Sequence, residues 1–196
     1  MPNSTNNLND QIIVDQFKQI NSQSIYWGFP VCLISTHNPD NYEQNVSVYS
    51  SFFVYKNIVS VATTLESLTY KNLTMSDRAI LNVPSHAMVP LIKELSKKTH
   101  TPKEKKKIID NSRFKYVESD KFKNLIVFKD SELVLELSVL KIINYENNNF
   151  VTINFMINKV SANENIIDKN GIINSKKISP INIKFREYYK LDKKPL

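Results

Sequence analysis

The stretches YWGFPVCLIST at residues 26–36, NVSVYSSFF at 45–53 and IVSVATTLESLTYKNL at 58–73 decide the fold class of this chain. They contain β-type runs rich in Val, Ile, Tyr and Phe, joined by segments dense in Ser, Thr and Asn. Short β-type runs separated by polar connections are typical of antiparallel strands. Hydroxyl and amide side chains grouped at strand ends either face a polar ligand or cap turns. We therefore place the functional site in this segment.

Working outward, the hydrophobic pattern gives the neighbouring elements. Strands are predicted at residues 26–36, 45–53, 58–64 and 78–83. The first is expected to be irregular near its start, because Gly28 and Pro30 fit poorly into a regular ladder. Residues 65–77 lack strand alternation and are predicted to pass from a loop into a short helix.

The second half of the chain adds helices and a long hairpin. After Pro84, Ser85 is predicted to cap a helix that tolerates Pro90 in its first turn. The apolar face of this helix is Met88, Leu91, Ile92 and Leu95. Residues 97–107 are predicted to be a basic connector with a solvated face. Strands at 132–143 and 150–160, a turn at 168–171 and a docked tail at 178–189 complete the chain. With six or seven strands, two or three helices and no βαβ alternation, the prediction is a mainly β protein, a small β-barrel with peripheral helices.

Composition indicates a single globular domain. The chain has 196 residues, and we expect a domain at 25–196 preceded by a polar arm and short amphipathic helix at 1–24. The net charge of +7 comes mostly from Lys in loops, which favours a solvated surface over a nucleic-acid site. The single cysteine, Cys32, fits a reducing cytosol. Residues 1–10 do not read as a signal peptide and no window is apolar enough for a membrane span, so a cytoplasmic, membrane-free protein is expected.

Several kinds of site are excluded by the residues present. Gly28 and Gly171 are the only glycines, so neither a P-loop nor a GxGxxG turn is possible. The three histidines, His37, His86 and His100, lack metal-ligand spacing, and no metal site is expected. No Ser lies in a GxSxG elbow. A nucleotide phosphate would be held by hydroxyls, a few backbone N–H groups and Lys or Arg, and an enzyme of this composition would work through a bound cofactor.

The order of several segments resembles the flavin reductase-like family of FMN-binding split barrels. The segments are GFPVCLIST, NVSVYSSFF, SVATTLESLTYKNL, AILNVPS, ESDKF and INIKFREYYKL, and together they cover about residues 25–190. The resemblance implies an antiparallel split barrel, a homodimer, and FMN in a groove near the subunit interface. It also implies hydride transfer from NADH or NADPH to the flavin, with the reduced flavin passing to an acceptor such as a monooxygenase partner.

The same resemblance implies which residues contact the flavin. They are Asn45, Ser47, Ser50, Ser51 and Phe52 beside the ring and ribityl chain, Thr63 and Thr64 at the next strand end, and Ser67, Thr69, Lys71 and Asn72 near the phosphate. Backbone N–H groups beside Ser50, Ser51 and Thr64 would face the flavin N1 and O2 edge, so no catalytic side chain is assigned. The plainer interpretation is that Ser50 and Ser51 only cap a turn and Asn72 only begins a helix. If the phosphate assignment holds, Thr69→Ala with Asn72→Ala should weaken FMN binding and leave the Tm of the flavin-free protein nearly unchanged.

The sequence also departs from the family pattern. Asp120-Lys121-Phe122 is followed by KNLIVFKD, without the glycine that the family usually has there, which leaves the nicotinamide side open. In FREYY, Arg186, Tyr188 or Tyr189 would reach the site or the dimer contact, or only pack. The alternative functions are therefore a flavin-binding or structural split barrel without hydride transfer and, more distantly, a barrel that binds single-stranded nucleic acid.

Overall fold

The computed structural model describes residues 27–119, 122–145, 148–185 and 187–190. The predicted arm and helix at 1–24 lie outside these residues, as do Asp120, Lys121 and Arg186. The strands are β1 (Trp27–Pro30), β2 (Cys32–His37), β3 (Gln44–Tyr49), β4 (Phe52–Tyr55), β5 (Ile58–Thr64), β6 (Arg78–Pro84), β7 (Tyr116–Glu118), β8 (Ile126–Phe128), β9 (Ser131–Tyr145), β10 (Phe150–Ala162), β11 (Ile181–Lys184) and β12 (Glu187–Lys190). The α-helices are α1 (Leu68–Met75), α2 (Val89–Leu95) and α3 (Pro102–Asn111).

One antiparallel sheet of seven strands forms the body of the protein, in the order β3-β2-β6-β9-β10-β5-β4. Consecutive strands β3 and β4 stand at opposite edges, although only Ser50 and Ser51 separate them. Three Cα steps span at most about 11 Å, whereas seven flat strands spaced at about 4.8 Å would be about 29 Å wide. The sheet must therefore curl until its edges approach, which confirms the predicted barrel with antiparallel strands.

This curl corrects the single strand predicted at residues 45–53. The chain leaves β3 at Tyr49, crosses the open seam of the barrel through Ser50 and Ser51, and enters β4 at Phe52. The Ser51 carbonyl accepts a hydrogen bond of 2.9 Å from Ala62 N, which joins the start of β4 to β5. The two serines interrupt the apolar pattern on both faces of the run, which marks the crossing in the sequence.

The strand predicted at residues 26–36 is also two strands. β1 pairs with β11 in a separate three-stranded sheet, while β2 lies inside the seven-stranded sheet. The predicted irregularity is present as a register shift beside Gly28, whose φ is 138°. The two breaks account for two of the additional strands, and β7, β8, β11 and β12 were not predicted as strands, so the described residues contain twelve strands instead of six or seven.

Apolar clusters lie on both faces of the curled sheet, and the two largest share β2. Inside the barrel, Cys32 and Ile34 pack with residues of β5, β9 and β10. On the outer face, Val31 and Leu33 pack with α2, α3 and β8. Both faces of β2 are buried, which accounts for its nearly continuous apolar run.

The helices agree with the sequence in two places and differ in two. α1 follows the predicted loop, and the face predicted for α2 is buried, with Pro90 in the first turn. Ser85 precedes a 3₁₀ turn and makes no capping bond through its side chain. The basic connector predicted at 97–107 contains α3, which begins with a capping box between Thr101 and Glu104. The sequence Thr101-Pro-Lys-Glu104 is a helix-start signal, but the run of lysines that follows led to the prediction of a connector.

The predicted hairpin and docked tail are confirmed. β9 and β10 pair along most of their length, and β10 continues the ladder to β5. In the tail, Ile181 is fully buried in the outer core, and its carbonyl accepts a hydrogen bond of 2.8 Å from Val31 N. The turn at residues 168–171 is closed by a bond of 3.0 Å from Gly171 N to the Asp168 carbonyl.

Candidate functional site

The residues predicted to bind flavin come together at the seam of the barrel. The seam joins the end of β3, the crossing at Ser50 and Ser51, the end of β5 and the start of α1. The helix begins there because the Ser67 hydroxyl accepts a hydrogen bond of 3.1 Å from Tyr70 N, as an N-cap residue does. The curl of the sheet thus unites polar groups that the sequence spreads over three segments.

Four of the polar side chains form an internal cluster, which we call the inner cluster: Thr36, Asn45, Thr69 and Asn72. None of them is more than 2% exposed. Asn72 Nδ2 donates to Thr36 Oγ1 at 3.1 Å, and Asn45 Nδ2 lies 3.4 Å from Thr69 Oγ1 and 3.5 Å from Thr36 Oγ1. Asn45 Nδ2 also donates to Ser47 Oγ at 3.1 Å. These bonds attach α1 to β2 and β3.

One polar atom of the inner cluster lacks a hydrogen-bond partner among the described residues. Asn72 Oδ1 is buried and has no hydrogen-bond partner among the described residues. The predicted phosphate contacts Thr69 and Asn72 are therefore enclosed by protein and bonded to protein groups. Their assignment to the phosphate stays a prediction. For it to hold, either the ligand must approach them from behind α1, or the inner cluster must open.

A second set of hydroxyls runs from the barrel interior to the seam. Tyr49 Oη lies 3.0 Å from Thr63 Oγ1, and Thr63 Oγ1 donates to Ser67 Oγ at 2.9 Å. Tyr49 is 9% exposed, whereas Thr63 and Ser67 are half-buried. Burial raises the pKa of the Tyr49 phenol, and hydrogen bonding from Thr63, Thr69 and Ser67 acts in the opposite direction. The phenol is consequently protonated at neutral pH.

The remaining predicted contacts are accessible from solvent. Ser47, Ser50 and Phe52 are half-buried, and Ser51, Thr64 and Lys71 are exposed. Phe52 also packs against the barrel core, so only part of its ring is available to a ligand. In charge, the seam combines the Lys71 ammonium with the exposed carboxylate of Glu66. The set offers hydroxyl donors, one cation and one aromatic edge.

The loop after Phe122 reaches a left-handed turn without glycine. Asn124 has φ of 66°, a conformation that Asn adopts more readily than most residues. Phe122 is buried, and the Arg78 guanidinium lies 4.8 Å from its ring centroid. This segment thus reaches a positive φ at Asn124 without a glycine.

The aromatic tail packs away from the seam. Tyr188 contacts the outer core, and the Tyr189 hydroxyl donates to the Glu187 carboxylate. The contacts favour the packing interpretation for Tyr188, whereas Tyr189 is 46% exposed and its place at a dimer contact stays a prediction.

Other parts of the described chain offer less. Two surface grooves border α3, one beside α2 and one beside the turn between β2 and β3, and neither is lined by a predicted flavin contact. Within the described ranges, no group of His, Cys, Asp and Glu is arranged to hold a metal ion. No helix among the described residues has the length and apolarity needed to cross a membrane.

Two members of the site were missed by the sequence analysis. Thr36 faces Asn45 across the β2–β3 ladder, and Tyr49 follows Asn45 and Ser47 on the same face of β3. The two-residue period of Asn45, Ser47 and Tyr49 is visible in the sequence and could have pointed to Tyr49. Thr36 could be found only from the strand register.

Comparisons with solved structures match nearly the whole chain. Flavoredoxin of Desulfovibrio vulgaris is 16% identical with a TM-score of 0.75, over 90% of this chain and 93% of that one. A protein of Shewanella frigidimarina with a flavin-reductase-type split barrel domain is 16% identical with a TM-score of 0.73, over 86% of this chain and 85% of that one. An FMN-binding protein of Thermus thermophilus with bound 1-cyclohex-2-enone is 11% identical with a TM-score of 0.71, over 92% of this chain and 97% of that one.

Sequence comparisons give no such match. No protein-family model matches the chain, and no curated protein matches it in sequence. At identities of 11% to 16%, the structural matches concern the course of the backbone. The antiparallel order of the seven-stranded sheet, its curl and its seam agree with these matches. The chain therefore has the fold of the flavin reductase-like split barrels.

Proposed function

We propose that this protein binds FMN at the seam of the barrel and reduces it with NADH or NADPH. The observation that carries the proposal is the hydrogen bond between the Thr63 and Ser67 hydroxyls beside the Ser50–Ser51 crossing, in a fold whose structural matches are flavin proteins. Each of these hydroxyls is half-buried, so each is held in place by protein and can still reach a ligand.

The donor set fits a ligand with a single phosphate group. A phosphate monoester needs several hydrogen-bond donors and a nearby cation. The seam supplies hydroxyls from Ser50, Ser51, Thr64 and Ser67, together with the exposed ammonium of Lys71. A pyrophosphate bound in a glycine-rich turn would need glycines that this chain lacks. We therefore favour FMN over a dinucleotide as the resident ligand.

The inner cluster has a supporting part in this proposal. Asn45 bonds to Thr69 and Asn72 bonds to Thr36, and all four side chains are almost fully buried. They fix α1 against β2 and β3, and this sets the position of Ser67 at the start of the helix. Of the predicted contacts, Asn45, Thr69 and Asn72 act on the ligand through the placement of other groups.

The proposed chemistry asks little of the side chains. When bound, a flavin supplies an acceptor for hydride from the nicotinamide ring. The chain's part is to orient the flavin, to exclude water from one ring face with Phe52, and to place backbone N–H groups of the Ser50–Ser51 crossing near the polar ring edge. No proton-transferring triad is required, which agrees with the hydroxyl character of the seam.

We also propose that the active form is a homodimer. Strand β4 is an edge of the seven-stranded sheet, and Phe53, Val54 and Tyr55 on it are 61%, 50% and 65% exposed. An apolar edge strand left open favours association with another chain. A second copy would cover β4 beside the seam and give the bound flavin a second wall.

An absorbance experiment tests the proposal. We expect protein purified with added FMN to keep a flavin spectrum after desalting, and the absorbance to bleach when NADH or NADPH is added without oxygen. Flavin retention without bleaching by either nucleotide would support a flavin-binding protein that performs no reduction. Colourless protein that binds oligonucleotides, with affinity falling steeply as salt rises, would point to the nucleic-acid alternative. If bleaching occurs, re-oxidation by a monooxygenase system would test the proposed monooxygenase partner.

A further inference from the structure

Two aromatic side chains stand side by side at the end of the long hairpin. Tyr145 ends β9 and Phe150 begins β10, and the two residues pair directly across the ladder. Their ring centroids are 4.6 Å apart and their planes differ by 18°, so the rings are stacked. The turn that joins them is closed by a hydrogen bond of 3.1 Å from Asn148 N to the Tyr145 carbonyl. The two rings are therefore held against each other by both the ladder and the turn.

The strand register places this pair beside a predicted flavin contact. Phe150 pairs with Thr64 of β5 as well as with Tyr145 of β9. Residues directly opposite each other in antiparallel strands project from the same face of the sheet. The next residue of β10, Val151, points the other way into the inner core. Tyr145, Phe150 and Thr64 therefore form a row on the outer face of the barrel.

This row leads to the seam. The Thr64 carbonyl accepts a hydrogen bond of 3.1 Å from Ser67 N at the start of α1. The Ser51 carbonyl accepts from Ala62 N, so the Ser50–Ser51 crossing runs along the side of β5 that is opposite to β10. With strands spaced at about 4.8 Å, Phe150 lies about two strand spacings from the crossing. The side chain between them in the row is Thr64, which is short and exposed.

Part of the aromatic pair is open to solvent, since Tyr145 is 40% exposed and Phe150 is half-buried. A cross-strand aromatic pair contributes to hairpin stability wherever it lies, so stacking alone assigns no function to it. Its position, however, matches a need of the proposed reaction, because hydride can reach a flavin only if one face of the ring meets the nicotinamide. The flavin ring must therefore lie on the solvent side of the seam, which is the side on which Phe150 stands.

We propose that Phe150 contacts the ring of the bound flavin and that Tyr145 is a positioning residue, which holds the Phe150 ring in place from behind. This inference rests on the proposed function and adds two residues to it. A planar ring whose polar edge meets the backbone N–H groups of the Ser50–Ser51 crossing extends over Thr64 towards Phe150. The contact is with the ring and not with the phosphate, so it affects flavins with and without a phosphate alike.

The first experiment removes the aromatic ring and keeps an apolar side chain. Phe150→Leu is compared with Tyr42→Leu as its control, because Tyr42 is also exposed and also stacked, on His37. Tyr42 precedes β3, whereas the seam lies at the other end of that strand, about 17 Å away along the chain direction. Dissociation constants of FMN and of riboflavin, which has no phosphate, are measured by flavin fluorescence quenching for each protein.

We expect Phe150→Leu to weaken the binding of FMN and of riboflavin by the same factor, about threefold to tenfold, as the loss of one aromatic contact does. Tyr42→Leu should change neither constant. Unchanged binding of both flavins by Phe150→Leu, or a loss for FMN alone, would overturn the proposal and leave the proposed function standing. If the wild-type protein binds neither flavin, the proposed function fails and this inference fails with it.

A tryptophan variant gives a signature that a purely structural role would not produce. Phe150→Trp keeps an aromatic ring at this position, so it serves also if Phe150→Leu folds poorly. An indole in contact with oxidised flavin donates electron density to it, which adds broad absorbance at wavelengths beyond the flavin band. We expect this absorbance in FMN-loaded Phe150→Trp, its disappearance on reduction with dithionite, and its absence from Tyr42→Trp. A Phe150→Trp protein without it would overturn the proposed ring contact.

The positioning role of Tyr145 is tested by a double variant. We expect Tyr145→Leu to weaken both flavins, and Phe150→Leu combined with Tyr145→Leu to bind them no more weakly than Phe150→Leu alone, since Tyr145 acts through Phe150. Additive losses would show that Tyr145 acts on its own, which contradicts the positioning role. Light scattering of the flavin-free variants completes the test, because a loss of flavin binding that accompanies conversion to a monomer would overturn a direct ring contact by Phe150.

Discussion

Replacing Thr36 with valine tests whether the inner cluster is part of the protein's own framework. Thr36 is completely buried on β2, and valine has nearly the same shape without the hydroxyl. The change deletes the oxygen that accepts from Asn72 Nδ2 at 3.1 Å and, more weakly, from Asn45 Nδ2 at 3.5 Å. Asn45 keeps its bonds to Ser47 and Thr69, but the Asn72 amide loses its acceptor.

The size of the effect follows from that unpaired donor. A buried donor left without an acceptor costs about 1–3 kcal/mol of unfolding free energy. Asn72 is 1% exposed, so water cannot replace the lost partner without a local opening. For a chain of this size, each kcal/mol corresponds to about 2–4 °C in Tm, and we expect Thr36→Val to melt about 2–12 °C below the wild type.

The assay is urea unfolding of the flavin-free protein, followed by far-UV circular dichroism. Thr36→Ser, which retains the hydroxyl, is the matched control and should stay closer to the wild type than Thr36→Val. The same reasoning changes the expectation for Thr69→Ala with Asn72→Ala, because both side chains are buried and bonded. That double variant should lower the Tm of the flavin-free protein, which the sequence alone did not predict. A wild-type unfolding free energy for Thr36→Val would refute the reasoning and leave Thr69 and Asn72 available to a ligand.

Two further predictions concern the edge strand and acid stability. Phe53→Lys should shift the protein from dimer to monomer in light scattering at micromolar concentration. The control, Ile172→Lys, changes a side chain of similar exposure away from β4 and should leave the dimer intact. A dimeric Phe53→Lys variant would count against the β4 interface. Burial lowers the pKa of His37 from its ordinary value near 6.5, so the unfolded chain binds the proton more readily than the folded chain. The free energy of unfolding therefore falls as the pH drops below about 6.5, until the pH passes the pKa of the folded state. His37→Gln should therefore lose less stability than the wild type between about pH 7 and pH 5 in urea midpoints, and parallel pH profiles would contradict this assignment.

Local periodicity was sufficient where an element has one buried face and clear ends. Strands β5, β9 and β10 and helix α2 lie close to their predicted positions, because a two-residue or a 3.6-residue repeat records which side chains face the core. The barrel class also followed from the sequence, since short connections between β-type runs leave antiparallel pairing as the simple solution. The helix α3 was missed because lysine-rich composition outweighed a capping signal at Thr101 and Glu104.

For the candidate site too, some features could be predicted from the sequence and others could not. The sequence placed polar residues at strand ends, and in the structure Thr63 bonds to Ser67 beside the Ser50–Ser51 crossing. It could not show that Thr69 and Asn72 turn inward to bond with Thr36 and Asn45. Such bonds depend on strand register and on the packing of α1, which join residues far apart in the chain.

By itself, then, the amino-acid sequence determined the class of the fold, the alternation of its main strands and the hydroxyl-rich character of the site. Only the tertiary structure decided that Ser50 and Ser51 cross from one edge of the sheet to the other, and which polar groups are enclosed. The physical reason is that side-chain period is a local property, whereas closure of a sheet depends on the pairing of distant strands. Closure determines which hydroxyl and amide groups satisfy one another and which remain available to a ligand.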